Sequence, residues 1–179
     1  EAGRRAIAAL RQMDVASRIA LAALAVLYAV ALAAPLLAPY APSQQLDIIG
    51  LKDRAPSLAH PFGTDRFSRD LMTRVLFGAR VSLSVATLAV LMSAVVGTLY
   101  GLVAASAGGV LDAVLMRMLD AMLAIPRVLL LIAILALWNP VPLPMLIVLL
   151  GLTGWFDVSR LVRAEALALR ERDFVVAAR

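Results

Sequence analysis

The chain has 179 residues, of which 63% are hydrophobic and 16% charged, and its mean hydropathy is +0.91; a water-soluble domain of this length needs far more polar surface. It has no cysteine, which excludes disulfides, thiolate metal sites and a cysteine nucleophile, and its one histidine, His60, leaves little for a histidine metal site. The net charge of +5 is carried by basic residues that flank apolar runs, the pattern of headgroup anchors and not of a nucleic-acid surface.

Apolar runs of about 20 residues recur, the length needed to cross a hydrocarbon core about 30 Å thick. They are continuous and rich in Leu and Ala, without the alternation of barrel strands, so the expected fold is an all-α, polytopic helical membrane protein. Residues 1–18, with Arg4, Arg5, Arg11 and Arg18, read as a short amphipathic cytoplasmic segment. The first span is expected over residues 19–38, with Pro35 helping to end it. No clear small-residue cleavage site follows it, so it does not read as a signal peptide. Basic residues cluster before this span and are scarce just after it, which places the N-terminus in the cytoplasm.

Residues 39–80 form an extracytoplasmic loop containing Pro39, Pro42, Pro56 and Pro61. Gly63 can turn the chain, and Thr64 or Asp65 can cap an amphipathic helix that follows and lies along the membrane surface. In that helix Phe67, Leu71, Met72, Val75 and Leu76 share one face.

The second span is expected over about 81–105, where Ser93, Gly97, Gly101 and Ala105 form a small-residue stripe that lets another helix approach closely. Gly108-Gly109 breaks the helix, and the third span, about 122–138, is expected to kink at Pro126. Arg117 and Asp120 stand three apart and can pair on one helix face. The uncharged turn Asn139-Pro140-Val141-Pro142 leads to the fourth span, about 144–159, whose continuation carries Asp157, Arg160, Arg163 and Glu165 out of the bilayer, to pair locally or meet a partner. Four crossings return the chain to the cytoplasm, and eleven basic residues fall in the inside segments against six in the outer loop. Glu1 is not an initiator and the sequence stops within a helical pattern, so the expectation is a piece of a longer chain.

No catalytic constellation emerges. Gly63-Thr64-Asp65 lacks the glycine spacing and lysine of a phosphate loop, so the chain is not expected to hydrolyse ATP. His60, Asp65 and Asp70 are spaced five apart, which suits capping and salt bridges better than a metal. Ser68 and Ser82 have no histidine placed for a triad, which disfavours an intramembrane protease. The short apolar segment Asp173-Phe174-Val175-Val176-Ala177-Ala178-Arg179, just outside the membrane, suits docking into a soluble partner.

Three ordered blocks then resemble one family. The first runs from His60-Pro61-Phe62-Gly63-Thr64-Asp65 through Arg69-Asp70 to Arg74, Gly78-Ala79-Arg80 and Ser82. The second is Met116-Arg117-Met118-Leu119-Asp120 with Leu123-Ala124-Ile125-Pro126. The third is Trp155 with Arg160-Leu161-Val162-Arg163, Leu169-Arg170-Glu171 and Phe174-Val175. Together they resemble the dipeptide/oligopeptide/nickel branch of ABC-transporter permeases, over roughly residues 16–179.

The resemblance implies a type I ABC importer permease fold of six spans, four of them present here, in a bacterial inner membrane. It implies a second homologous permease, two cytoplasmic ATP-binding subunits that hold the ATP, and an extracytoplasmic solute-binding protein. It implies alternating access and import of di- or oligopeptides, with nickel or another small solute as the alternative; a structural assembly subunit is the competing class. The family's EAA coupling helix aligns with Val176-Ala177-Ala178-Arg179, with valine where the motif has glutamate, Asp173 as its cap and Phe174 as the residue that fills the ATPase cleft. His60, Gly63, Thr64, Asp65, Arg69, Asp70 and Arg80 fall in its signature loop, and Arg117, Asp120, Pro126, Arg160 and Arg163 take structural or gating places.

Overall fold

A computed structural model describes residues 14–138 and 140–172, and every regular element among them is helical. In chain order these are α1 (Val15–Leu32), α2 (Ala34–Leu37), α3 (Leu71–Ala107), α4 (Gly109–Leu123), α5 (Arg127–Leu135) and α6 (Leu143–Arg170). Three of them, α1, α3 and α6, are each long and apolar enough to cross a membrane. The pair α4–α5, bent by 67° at its break, makes a fourth candidate if counted as one span. The chain divides into two compact units, Glu1–Leu83 and Ser84–Arg179.

In the first unit, the Asp14 carboxylate caps α1 by accepting the Ser17 amide at 3.1 Å. The helix therefore opens four residues before the expected Ile19. It stops at Leu32 and resumes as the single turn α2, because Pro35 has no N–H to donate to the preceding turn.

The loop that follows departs from expectation at its end. No helix starts at Thr64 or Asp65. Residues 64–70 form a tight reversal, bridged between Thr64 and Asp70, and α3 opens at Leu71 and runs unbroken through the expected second span. The Asp65 carboxylate takes the amides of Phe67 at 2.8 Å and Arg69 at 3.0 Å, a local bonding pattern that competes with a helix. Ser68 sits at φ 57°, outside helical space. The helix cap is Asp70, which accepts the Thr73 amide at 2.8 Å.

The second unit is built on the crossing of α3 and α6. Along α3 the buried positions Val85, Ala89, Ser93, Gly97, Gly101 and Ala105 recur every four residues. A Cβ on Gly97 would stand 2.6 Å from Val158 Cβ and 2.8 Å from the Trp155 carbonyl oxygen, and one on Gly101 would stand 2.6 Å from the Ser159 carbonyl oxygen. Gly151 of α6 faces Met92 in the same way, and the Ser93 hydroxyl donates to the Gly151 carbonyl at 2.9 Å. Contacts rise together along the two helices, from Ser93 with Gly151 to Gly101 with Ser159, so they run parallel.

The α4–α5 pair runs the other way. Asp112 meets Arg163, Asp120 meets Arg160, and Arg127 meets Thr153, so its numbers rise as those of α6 fall. The three elements therefore alternate in direction, as successive crossings must. Leu119 is fully buried where they meet, against Trp155 and Phe156, and Val96, Tyr100, Met116 and Leu123 surround this core. The Tyr100, Trp155 and Phe156 rings pack in a tilted series with centroids 4.7 Å apart. Gly108 and Gly109, at φ 63° and 54°, make the break between α3 and α4.

The crossing predicts a contrast between two glycines of one helix. Gly97→Ala must push α6 backbone away and should destabilise the protein by about 1–3 kcal/mol. Gly78→Ala, where a Cβ meets nothing within 4 Å, should be neutral or stabilising by up to about 1 kcal/mol. Thermal unfolding of both variants in detergent checks this; equal midpoints would mean the helices do not touch at Gly97.

Candidate functional site

The first cluster of sequence-selected residues is the loop ending at Asp70. Gly63, at φ 76°, turns the chain beside the Arg54 backbone. Thr64 ties the loop across its width, taking the Arg54 amide at 3.0 Å and donating to the Leu51 carbonyl. Asp65 is the hub: besides two amides it binds the Arg69 guanidinium at 2.8 Å and Arg74 at 2.5 Å. His60 Nδ1 lies 3.0 Å from Asp70 Oδ1, in a buried pair, and its ring stacks obliquely on Tyr40.

His60, Asp65 and Asp70 thus do not converge on one centre. Burial raises the Asp65 pKa, but the Arg69 amide and side chain, the Phe67 amide and Arg74 outweigh it and hold the carboxylate far below its ordinary range. Asp70 shows the same balance: burial pushes up, and the Thr73 amide and His60 pull further down. Arg80, the last member of the signature, stands on α3.

The second cluster lies where α6 passes the α3–α4 turn. Arg163 grips Asp112 with a two-pronged contact, Nε to Oδ1 at 2.6 Å and Nη2 to Oδ2 at 2.5 Å. Asp112 belongs to the first turn of α4, where a carboxylate also favours the helix dipole. Arg170 donates to the Ala105 carbonyl in the last turn of α3, one of the acceptors a helix end leaves open. Arg160 pairs with Asp120.

Two expectations are corrected here. Arg117 is not the partner of Asp120, and Arg160 and Arg163 do not pair within their own helix. An i,i+3 pair on an exposed helix is worth only about 0.2–0.5 kcal/mol, so a partner offered by a packed neighbouring helix readily displaces it.

The third feature lies at the kink expected at Pro126, but its Arg127 and the cavity beside it were not singled out from sequence. Pro126 ends α4 and caps α5, and its missing N–H leaves the preceding turn open. In the crook of the bend is a cavity of about 170 Å³ lined by Met122, Leu123, Arg127, Leu130, Phe156 and Asp157, among others. Arg127 Nε donates to Thr153 Oγ1 at 3.1 Å and Nη2 to the Leu150 carbonyl at 3.3 Å. The Thr153 hydroxyl in turn donates to the Leu149 carbonyl at 2.8 Å.

The guanidinium lies beside Gly154, whose other neighbour is Ser93 Oγ. Arg127 is exposed, and it stands beside two apolar helices, α3 and α6, that are long enough to cross a membrane. A cation at the centre of a span costs about 2.5–3.5 kcal/mol on insertion scales, and such residues line a pathway or a watery cavity. The available signal was a lone arginine after a proline inside an apolar run. Residues Asp173, Phe174, Val176, Ala177, Ala178 and Arg179 lie outside the described residues.

The depressed carboxylates of the loop give a pH prediction. Groups with native pKa values below the ordinary 3.8 stabilise the fold above that pH and lose the contribution as pH falls through the native values. Amide protection factors at Phe67 and Arg69 should hold from neutral pH down to about 4 and fall below it. Asp65→Asn should lower them already at neutral pH, and unchanged protection in that variant would remove Asp65 from the hub.

Comparison with known proteins bears on the same regions. Residues 97–179 match the family of binding-protein-dependent transport system inner membrane components. The chain is 35% identical over 153 residues to a dipeptide transport system permease protein of Bacillus subtilis, covering 86% of this chain and 47% of that one. It is 40% identical over 158 residues to a putative peptide transport system permease protein of Brucella suis, covering 86% and 52%. It is also 40% identical over 126 residues to a dipeptide permease of Alkalihalophilus pseudofirmus, covering 70% and 41%. The chain spans about half the length of the curated relatives it matches. With its membrane-length helices and these matches, the chain is similar, over residues 97–179, to the binding-protein-dependent transport system inner membrane components.

Proposed function

We propose that the chain is part of the permease subunit of an ATP-driven importer of di- or oligopeptides, working by alternating access. The substrate class follows the relatives' names, which are dipeptide and peptide permeases. In this reading the N-terminus is cytoplasmic, a second homologous permease completes the pathway, and a solute-binding protein docks on the outer side near residues 39–80. Two cytoplasmic subunits bind and hydrolyse the ATP, and the permease itself has no catalytic site.

One observation carries the coupling part of this reading. Helix α6 is unbroken for 28 residues and ends at Arg170, three residues before Asp173-Phe174. Over its last turns Arg163 and Arg170 hold both sides of the α3–α4 turn. A push delivered to the segment after Arg170 therefore moves α6, and the arginines oblige the ends of α3 and α4 to follow. The ATPases supply the push by binding nucleotide more tightly in one state than in the other.

Two measurements on the full-length permease in its reconstituted complex test this. Phe174→Ala should lower transport-coupled ATP hydrolysis and leave membrane insertion intact; unchanged coupling would remove the segment from that role. Arg163→Gln and Asp112→Asn should each reduce coupling, and the double variant should be no worse than the poorer single one, because one contact is lost in all three. Additive losses would show that the pair does not act as a unit.

A further inference from the structure

The charges at the bend are not accounted for by packing or by coupling. Arg127 makes hydrogen bonds only to a neutral hydroxyl and a carbonyl, and neither it nor Asp157 has an ion-pair partner among the described residues. Both nevertheless line the same cavity. Further along α6, Arg160 and Arg163 are matched by carboxylates of α4, and Arg170 donates to a carbonyl. An exposed arginine and an exposed aspartate that line one cavity, neither in an ion pair among the described residues, form an arrangement that a ligand of both charges can complete.

The spacing identifies that ligand. Arg127 is anchored at Thr153, and Asp157 is four residues further along α6, a rise of about 6 Å. A dipeptide carries an ammonium and a carboxylate no more than about 7 Å apart when extended. The cavity of about 170 Å³ is smaller than the roughly 300 Å³ at which ligand pockets begin, so it suits passage and not storage.

Resting on the reading of the chain as a peptide permease, we infer that Arg127 and Asp157 form a transit subsite for the zwitterionic ends of a short peptide. The carboxylate goes to Arg127 and the ammonium to Asp157. The bend at Pro126 borders the cavity, and Leu130, on the helix of Arg127, and Met122, on the helix before the bend, are among its apolar lining. These are positioning residues for the moving substrate, and no bond is made or broken.

The test uses the full-length permease in its reconstituted transporter with one cysteine, the 179 residues here having none of their own. At Leu130→Cys, an anionic methanethiosulfonate should react about tenfold faster than a cationic one of similar size. At Met122→Cys the preference should reverse. Arg127→Gln should abolish the first preference and Asp157→Asn the second, while Arg127→Lys keeps the first. During turnover a free dipeptide should slow both reactions, and its N-acetylated, C-amidated counterpart should not.

Absence of labelling, or preferences that survive the neutral substitutions, overturns the subsite. Correct preferences that a transported dipeptide does not slow overturn its assignment to substrate. A wild-type complex that imports no peptide overturns the functional reading itself, and the subsite with it.

Discussion

The close approach of α3 and α6 is the constraint on which the second unit depends. Lipid is as apolar as leucine, so these helices gain little by hiding side chains from it, and association must come from dispersion contacts and hydrogen bonds between them. Gly97 and Gly101 bring one backbone against the other, and Ser93 spends its hydroxyl on the Gly151 carbonyl at the centre of the contact. Once the two parallel helices are locked, the element between them must run back antiparallel. Leu119 packs against Trp155 and Phe156 where that element crosses, beside the Tyr100 ring.

The arginine contacts then act on register more than on stability. Asp120 and Arg160 are both about half exposed, and exposed ion pairs contribute between zero and about 1 kcal/mol. The Asp112–Arg163 contact is two-pronged and better sheltered, so it fixes how far along α6 the start of α4 can sit. Arg170 does the same for the end of α3. Packing holds the helices together, and the charges decide which turn faces which.

Much of this architecture was legible in the residues. The period of four small side chains on α3 announced a close neighbour, Gly108-Gly109 announced a break, and Pro126 announced a bend. Other features were hidden for physical reasons. The choice between helix and tight reversal at residues 64–70 turned on Asp65 bonding its own following amides, a contest whose outcome depends on the arginines that gather round the carboxylate. The partners of Arg160 and Arg163 lie forty and fifty-one residues away, and no local pattern selects them. Gly151 and Gly154 are unremarkable in sequence and gain meaning only when Met92, Ser93 and Arg127 are found against them.

The broken span connects these strands of the argument. A helix that breaks within a bilayer leaves backbone groups without partners, and this is tolerated only where protein or a watery cavity receives them. Here the break falls at Pro126, the first-turn amides of α5 have no acceptor inside their own helix, and the cavity lies beside them. Arg127 follows immediately, a charge within an apolar run, where contact with lipid is costly. A straight helix through residues 109–135 would satisfy its backbone and close that space. The 67° bend forgoes both, beside the glycine-lined crossing of α3 and α6. Close packing against α3 and an open, charged crook against α4 and α5 are therefore two faces of α6.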